Sequence, residues 1–155
     1  MRLFAIVASG LHILAAIVWV GGMFFAYMCL RPATGPLEQA DRLGLWGRSF
    51  ERFFPWVWAS VVVLLGSGYG MIFFVFGGFG SAGVHVHLMQ ATGLLMILLF
   101  MHLWFAPYGR FKRALAADDQ AEAGRNLNQI RLIVAINLTL GLVTAIVGAT
   151  GRYWG

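Results

Sequence analysis

Residues 3–30 read LFAIVASGLHILAAIVWVGGMFFAYMCL, an apolar run that contains no charged residue. About 20 apolar residues suffice for a helix to cross the hydrocarbon of a bilayer, because each residue adds about 1.5 Å of length. The run is also about twice as long as the apolar part of a secretory signal, which has roughly 7 to 15 residues. It therefore predicts a retained transmembrane helix.

Three further stretches are predicted as transmembrane helices, at residues 53–76, 86–108 and 127–150. Hydrophobic residues make up 60% of the 155-residue chain and charged residues only 11%. In an average soluble domain about a quarter of the residues are charged. The sequence thus predicts an all-α integral membrane protein, in which residues 1–155 form a single bundle of four transmembrane helices.

Residues 37–53 carry apolar side chains at a spacing of three to four, with charged residues between them. This periodicity is typical of an amphipathic helix that lies on a membrane surface. We expect a short amphipathic helix on the cytoplasmic face, ending where the second transmembrane helix begins.

Basic residues are concentrated in two of the connections. Of the eleven Lys and Arg residues, four lie between the first two helices and five between the last two, which leaves Arg2 and Arg152 for the opposite side. Because basic connections stay in the cytoplasm, we expect a multi-pass protein of the bacterial inner membrane with both termini outside, in the periplasm. Topology and the anionic lipid of the bilayer then account for the basic excess, so we expect no nucleic acid partner.

All four histidines, His12, His85, His87 and His102, lie in or beside the first and third transmembrane helices. Hydrocarbon offers an imidazole no partner, so each needs a hydrogen-bond acceptor, a counter-charge or a metal. At about 1.5 Å per residue, His12 lies about 28 Å and His87 about 34 Å from the cytoplasmic ends of their helices. These two helices run parallel, so the two imidazoles are expected to meet near the outer surface.

A heme b iron takes one or two axial imidazoles, and a helix bundle can supply them from facing helices. We therefore expect one heme b held by His12 and His87, with His102 or His85 as substitute ligands. His102 lies about 22 Å deeper than His87 on roughly the same helix face, which predicts an interior position. Such a protein would transfer single electrons between quinone or a small oxidant and a periplasmic redox partner.

Copper is the alternative metal, because it accepts imidazole and thioether ligands. The residues that could supply them near the outer surface are His12, Met71, His85, His87 and Met89. This alternative predicts a copper-binding or copper-transport protein. In a third, purely structural alternative, the outer histidines face water and the deeper ones tie helices together. Small-residue stripes on the second and fourth helices are also compatible with a homo-oligomer.

Two other functions are disfavoured by the sequence. The chain has a single cysteine, Cys29, so it can form neither an internal disulfide nor a thiolate cluster. All six acidic residues lie in the connections assigned to the cytoplasm, away from the outer histidines. A Ser-His-carboxylate hydrolase is therefore not expected, and a proton-coupled transporter would lack carboxylates within its helices.

Residues 10–12 (GLH), 19–24 (WVGGMF) and 31–32 (RP) resemble the first helix of the bacterial copper-resistance D family. The similarity extends to residues 53–56 (FFPW) and 136–141 (INLTLG). The first helix is also similar to that of the small four-helix protoporphyrinogen oxidases, and this resemblance implies a heme b bound through the histidine of the GLH motif. Together the resemblances imply either copper handling in the inner membrane or heme-dependent electron transfer with quinone.

Overall fold

The structure, a computed structural model, describes residues 1–154 apart from the side chain of Arg152. Within this part of the chain, four helices are long and apolar enough to cross a membrane and no strand occurs, which confirms the predicted all-α architecture. The four helices are α1 (Arg2–Ala33), α2 (Gln39–Phe74), α3 (Val84–Ala116) and α4 (Gln120–Thr150). Short 3-10 turns follow α2 and α4, at Phe79–Ser81 and Gly151–Tyr153.

The four helices pack as two close pairs. α1 lies along α2 and α3 lies along α4, while α1 also contacts α4. Aromatic rings connect α2 to α3: the ring centroid of Phe100 is 5.7 Å from that of Phe54 and 5.3 Å from that of Trp58. The same ring reaches Trp19 of α1 at 6.1 Å. α1 and α3 are therefore diagonal in the bundle and meet through side chains in its aromatic core.

The two ends of the bundle differ in composition. Both termini and the connection 75–83 lie at one end, here called the terminal end. The connections 34–38 and 117–119 lie at the other, here called the basic end because the arginine-rich segments are there. The carboxylate of Asp119 accepts a hydrogen bond from the backbone N–H of Glu122 at 2.9 Å and so caps the start of α4.

The segment predicted as a separate amphipathic helix is instead the first part of α2, which runs unbroken from Gln39 to Phe74. Its apolar stripe packs against protein: the ring of Phe50 lies edge-on to Tyr108 at 6.1 Å and to Phe111 at 6.0 Å. An apolar stripe has the same periodicity whether it faces lipid or a neighbouring helix. The pattern therefore identified the helix correctly but not the surface that the helix covers.

Two π-helical turns interrupt the regular helices near the basic end, at Phe25–Leu30 in α1 and Trp104–Tyr108 in α3. Proline lacks an N–H group and its ring crowds the carbonyl four residues earlier, so a regular α-helix cannot pass it unchanged. Pro32 lies two residues after the end of the first turn, and Pro107 lies within the second. The wider turns allow both helices to continue past these prolines.

Candidate metal-binding site

His12 of α1 is half-buried and faces α2. Its Nδ1 lies 2.8 Å from Oγ of Ser67. The Ser67 hydroxyl in turn donates to the backbone carbonyl of Val63 at 2.6 Å. Because a hydroxyl has one hydrogen, and that hydrogen is directed at the carbonyl, Oγ accepts from Nδ1–H of the imidazole. The lone pair of His12 Nε2 is then left for another ligand.

A glycine brings the imidazole against the backbone of α2. A Cβ atom on Gly68 would lie 3.3 Å from Cε1 of His12, tighter than most side-chain contacts. The close approach places Nδ1 of His12 against α2, where the Ser67 hydroxyl selects the tautomer that carries its proton on this nitrogen.

A thioether lies beside this pair. Sδ of Met71 accepts a hydrogen bond of 3.3 Å from the hydroxyl of Ser9. Ser9 precedes His12 by three residues on α1, and Met71 follows Ser67 by four residues on α2, so both contacts lie on the same helix–helix interface. Met71 is therefore about one helical turn closer to the terminal end than His12. The α1–α2 interface holds one imidazole and one thioether.

A second imidazole and thioether face α4 from α3. His85 and Met89 are four residues apart and lie on one face of α3. A Cβ atom on Gly148 would lie 2.9 Å from Cε and 3.3 Å from Sδ of Met89. A Cβ atom on Gly151 would overlap the side chain of His85. Small residues near the end of α4 therefore make room for this second His–Met pair.

The other two histidines occupy different surroundings. His87 is exposed and its ring stacks on Phe79 at 6.5 Å. His102 is exposed as well, which differs from the interior position expected for it. His85 and His87 lie on different faces of α3, because residues two apart on a helix are separated by about 200°. The His85-x-His87 motif consequently does not form a joint chelating pair.

His12 and His87 have different neighbours in the structure. His12 is held against α2 by Ser67, whereas His87 stacks on the connection after α2. Nearer the basic end than either histidine, Trp19 and Phe100 fill the core between the diagonal helices α1 and α3. The two imidazoles thus have different partners, and a heme b with His12 and His87 as axial ligands stays a prediction.

Histidine, cysteine and carboxylate side chains do not cluster in threes anywhere in residues 1–154 in a way that could hold a metal ion. The imidazole and thioether groups described above near the terminal end belong to His12, Met71, His85, His87 and Met89. Sequence reasoning singled out His12, Met71, His85 and Met89 but missed the hydroxyl partners Ser9 and Ser67. The sequence feature that could have pointed to Ser67 is a polar residue between two glycines, Gly66-Ser67-Gly68, within an apolar span.

Four membrane-length helices packed together define the class of protein: a multi-pass membrane bundle. The chain belongs to the copper resistance protein D family, whose model matches residues 47–150, about two thirds of its length. The predicted resemblance to that family is thereby confirmed. The match covers Ser67, Met71, His85 and Met89, whereas His12 precedes it.

No curated protein and no solved structure matched the chain. The similarity to heme b oxidases therefore has no support from these comparisons. The family match favours the copper alternative over the heme expectation.

Proposed function

We propose that this protein binds copper at the terminal end of its bundle and handles copper as its cargo within the membrane. The observation that carries the proposal is the hydrogen bond between His12 and Ser67, which leaves Nε2 of the imidazole free. The thioether of Met71 lies about one turn away on the same interface. Membership of the copper resistance protein D family supports the same metal.

The ligand chemistry suits the cuprous ion. Cu(I) is soft and binds thioether and imidazole groups, both of which are neutral here. Ser67 orients the imidazole of His12, and Ser9 orients the thioether of Met71 through one of its lone pairs. Two neutral ligands bind less tightly than a thiolate cluster, so the ion can leave again. A reversible site of this kind serves transfer better than storage.

The pair His85 and Met89 provides a second copper position near the same end of the bundle. The exposed ring of His87 lies one turn or less from both residues along α3 and can capture copper that arrives from the aqueous side. We assign no copper ligand role to His102, which is exposed and lies toward the opposite end. With the basic end in the cytoplasm, all three terminal-end histidines of this proposal would receive copper from the periplasm.

Copper binding by purified protein tests the proposal. The protein would be purified in detergent, kept reduced with ascorbate and titrated with Cu(I) in competition with a chromogenic chelator. His12→Ala is expected to lower the affinity or the copper stoichiometry, and His102→Ala serves as the matched control because it removes an imidazole outside the proposed site. Copper binding that is unchanged in His12→Ala would contradict the assignment.

The heme alternative predicts a different result in the same preparation. A protein that carries heme b, and that exchanges electrons with quinone or a periplasmic partner, has an intense Soret absorption band. The expected result is no such band in protein purified from cells supplied with a heme precursor. A stoichiometric Soret band that is present in the wild-type protein and lost in His12→Ala would identify heme b, instead of copper, as the bound group.

A further inference from the structure

A narrow cleft opens at the basic end between α1, α2 and α4. The residues that carry the argument are Tyr27 and Arg31 of α1, Trp46 and Phe53 of α2, and Arg131 of α4, and we call this site the basic cleft. Its accessible walls are apolar, and the two guanidinium groups place positive charge beside them. None of these residues belongs to the proposed copper site.

The arginines of the basic cleft have aromatic rings as neighbours but no carboxylate. The guanidinium of Arg31 lies 4.9 Å from the ring centroid of Tyr27, and that of Arg131 lies 5.5 Å from the ring of Trp46. Arg31 and Arg42 are the charged groups that act on Arg131. In the described part of the chain the one ion pair is between Glu122 and Arg125. Three positive charges thus repel one another without a counter-ion from this chain.

Two hydrogen-bond donors on residues that line the basic cleft also lack acceptors. Nε of Arg131 and Nε1 of Trp46 are buried, and neither has a hydrogen-bond partner among the described residues. Buried donors in folded proteins are nearly always paired, so two unpaired ones in the same cleft indicate a missing acceptor. A group that only accepts hydrogen bonds and carries negative charge satisfies both the donors and the arginines.

The size of the basic cleft restricts how such a ligand can sit. Its interior has a volume of about 20 Å³, which is enough for about one water molecule. A phosphate group is too large for this interior and must therefore lie at the mouth of the cleft. The apolar remainder of the ligand can then follow the aromatic wall toward the hydrocarbon. A ligand with an anionic head and an apolar body matches both requirements.

We propose that the basic cleft binds the phosphate group of an anionic phospholipid in the leaflet at the basic end of the bundle. Arg31 and Arg131 contact the phosphate oxygens, and Arg42 adds a third positive charge. The N–H groups of Trp46 and Arg131 gain an acceptor when their side chains turn toward the mouth. This site does not depend on copper, and the lipid joins α1, α2 and α4 at the end opposite the proposed copper site.

Native mass spectrometry of delipidated, detergent-purified protein tests the proposal with phosphatidylglycerol and phosphatidylcholine as probes. The protein is expected to retain one phosphatidylglycerol molecule more tightly than any phosphatidylcholine molecule. Arg131→Gln and Arg31→Gln are expected to weaken this preference at least about tenfold. Arg48→Gln is the matched control, since it removes the same charge from an exposed position at the basic end. Size-exclusion profiles and helical circular dichroism establish that each variant is folded.

Three results would overturn the proposal. Equal retention of the two lipids by the wild-type protein would show that the cleft does not recognise the anionic headgroup. An equal loss of the preference for phosphatidylglycerol in Arg48→Gln would show that the preference comes from the general surface charge of the basic end. Full displacement of phosphatidylglycerol by millimolar inorganic phosphate, at constant ionic strength, would identify free phosphate as the ligand. If Arg131→Gln does not fold, Arg31→Gln and Arg42→Gln decide the question with the same measurements.

Discussion

The imidazole of His12 and the hydroxyl of Ser67 join α1 to α2 through a contact of 2.8 Å between Nδ1 and Oγ. The hydroxyl donates its own hydrogen bond to the carbonyl of Val63. In the contact between the two side chains, Nδ1–H of His12 is therefore the donor and Oγ of Ser67 the acceptor. That direction leaves Nε2 unprotonated and able to bind a metal ion. In the proposed copper site, this contact between two helices also orients a metal ligand.

Ser67→Ala tests whether the hydroxyl of Ser67 orients the imidazole of His12 for copper binding. Removal of a group that orients a metal-binding histidine lowers metal affinity about 10- to 100-fold, because the ring loses its fixed tautomer and orientation. We expect the Cu(I) affinity of Ser67→Ala to fall within that range, measured by chelator competition. Ser49→Ala is the control, since Ser49 also donates to a carbonyl in its own helix, Leu45, but at the basic end.

A comparison of Ser67→Thr with Ser67→Ala separates a role of the hydroxyl in positioning His12 from a purely structural role. Ser67→Thr keeps the hydroxyl and is expected to retain most of the copper affinity that Ser67→Ala loses. Wild-type affinity in Ser67→Ala, in a protein that is equally stable, would contradict the assigned role of the hydroxyl.

Met71→Leu tests the thioether. Leucine has nearly the same volume, so the packing of α1 against α2 should change little. We expect Cu(I) affinity to fall at least about tenfold, equivalent to about 1.4 kcal/mol, because the soft ligand is lost. The control is Met101→Leu, which makes the same change at an exposed position of α3. Similar copper affinities for the two variants would remove Met71 from the site.

The sequence predicted the number and nature of the helices because the length of an apolar run directly reflects the thickness of hydrocarbon that it must cross. It also predicted which residues share a depth, since the helical rise is constant. On that basis His12, Met71, His85 and Met89 were correctly grouped toward one end. The same rise gives no information on which helix each side chain faces.

The sequence did not predict which helices are neighbours, because this depends on how closely two backbones can approach. Gly68 admits the ring of His12 to α2, and Gly151 admits His85 to the end of α4. Those contacts pair each histidine with an adjacent helix, whereas the predicted His12–His87 convergence required α1 and α3 to be neighbours. The partners of the histidines were thus determined by small residues on other helices.

Gly22→Ala and Gly21→Ala test this dependence on close approach. A Cβ atom on Gly22 would overlap the ring of Phe53, whereas a Cβ atom on Gly21 would meet no atom within 4 Å. We expect Gly22→Ala to lower the free energy of unfolding by about 1–3 kcal/mol, the usual cost of overpacking, and Gly21→Ala to leave it nearly unchanged. Unfolding in detergent, followed by circular dichroism during titration with sodium dodecyl sulfate, measures both. Equal stabilities would show that α1 and α2 are less closely packed at Gly22 than the structure indicates.

Single-cysteine labelling tests the expected orientation in the membrane. The sole native cysteine is first removed by Cys29→Ser, and one new cysteine is then added at either end of the bundle. Ser81→Cys lies in the turn at the terminal end and Gln120→Cys at the basic end, and both positions are exposed. Because nine of the eleven basic residues belong to the two connections expected in the cytoplasm, a membrane-impermeant maleimide added to intact spheroplasts should label Ser81→Cys only. Gln120→Cys should react after lysis, which serves as the control for reactivity. Labelling of Gln120→Cys before lysis, with Ser81→Cys protected, would reverse the orientation and place the proposed copper site on the cytoplasmic side.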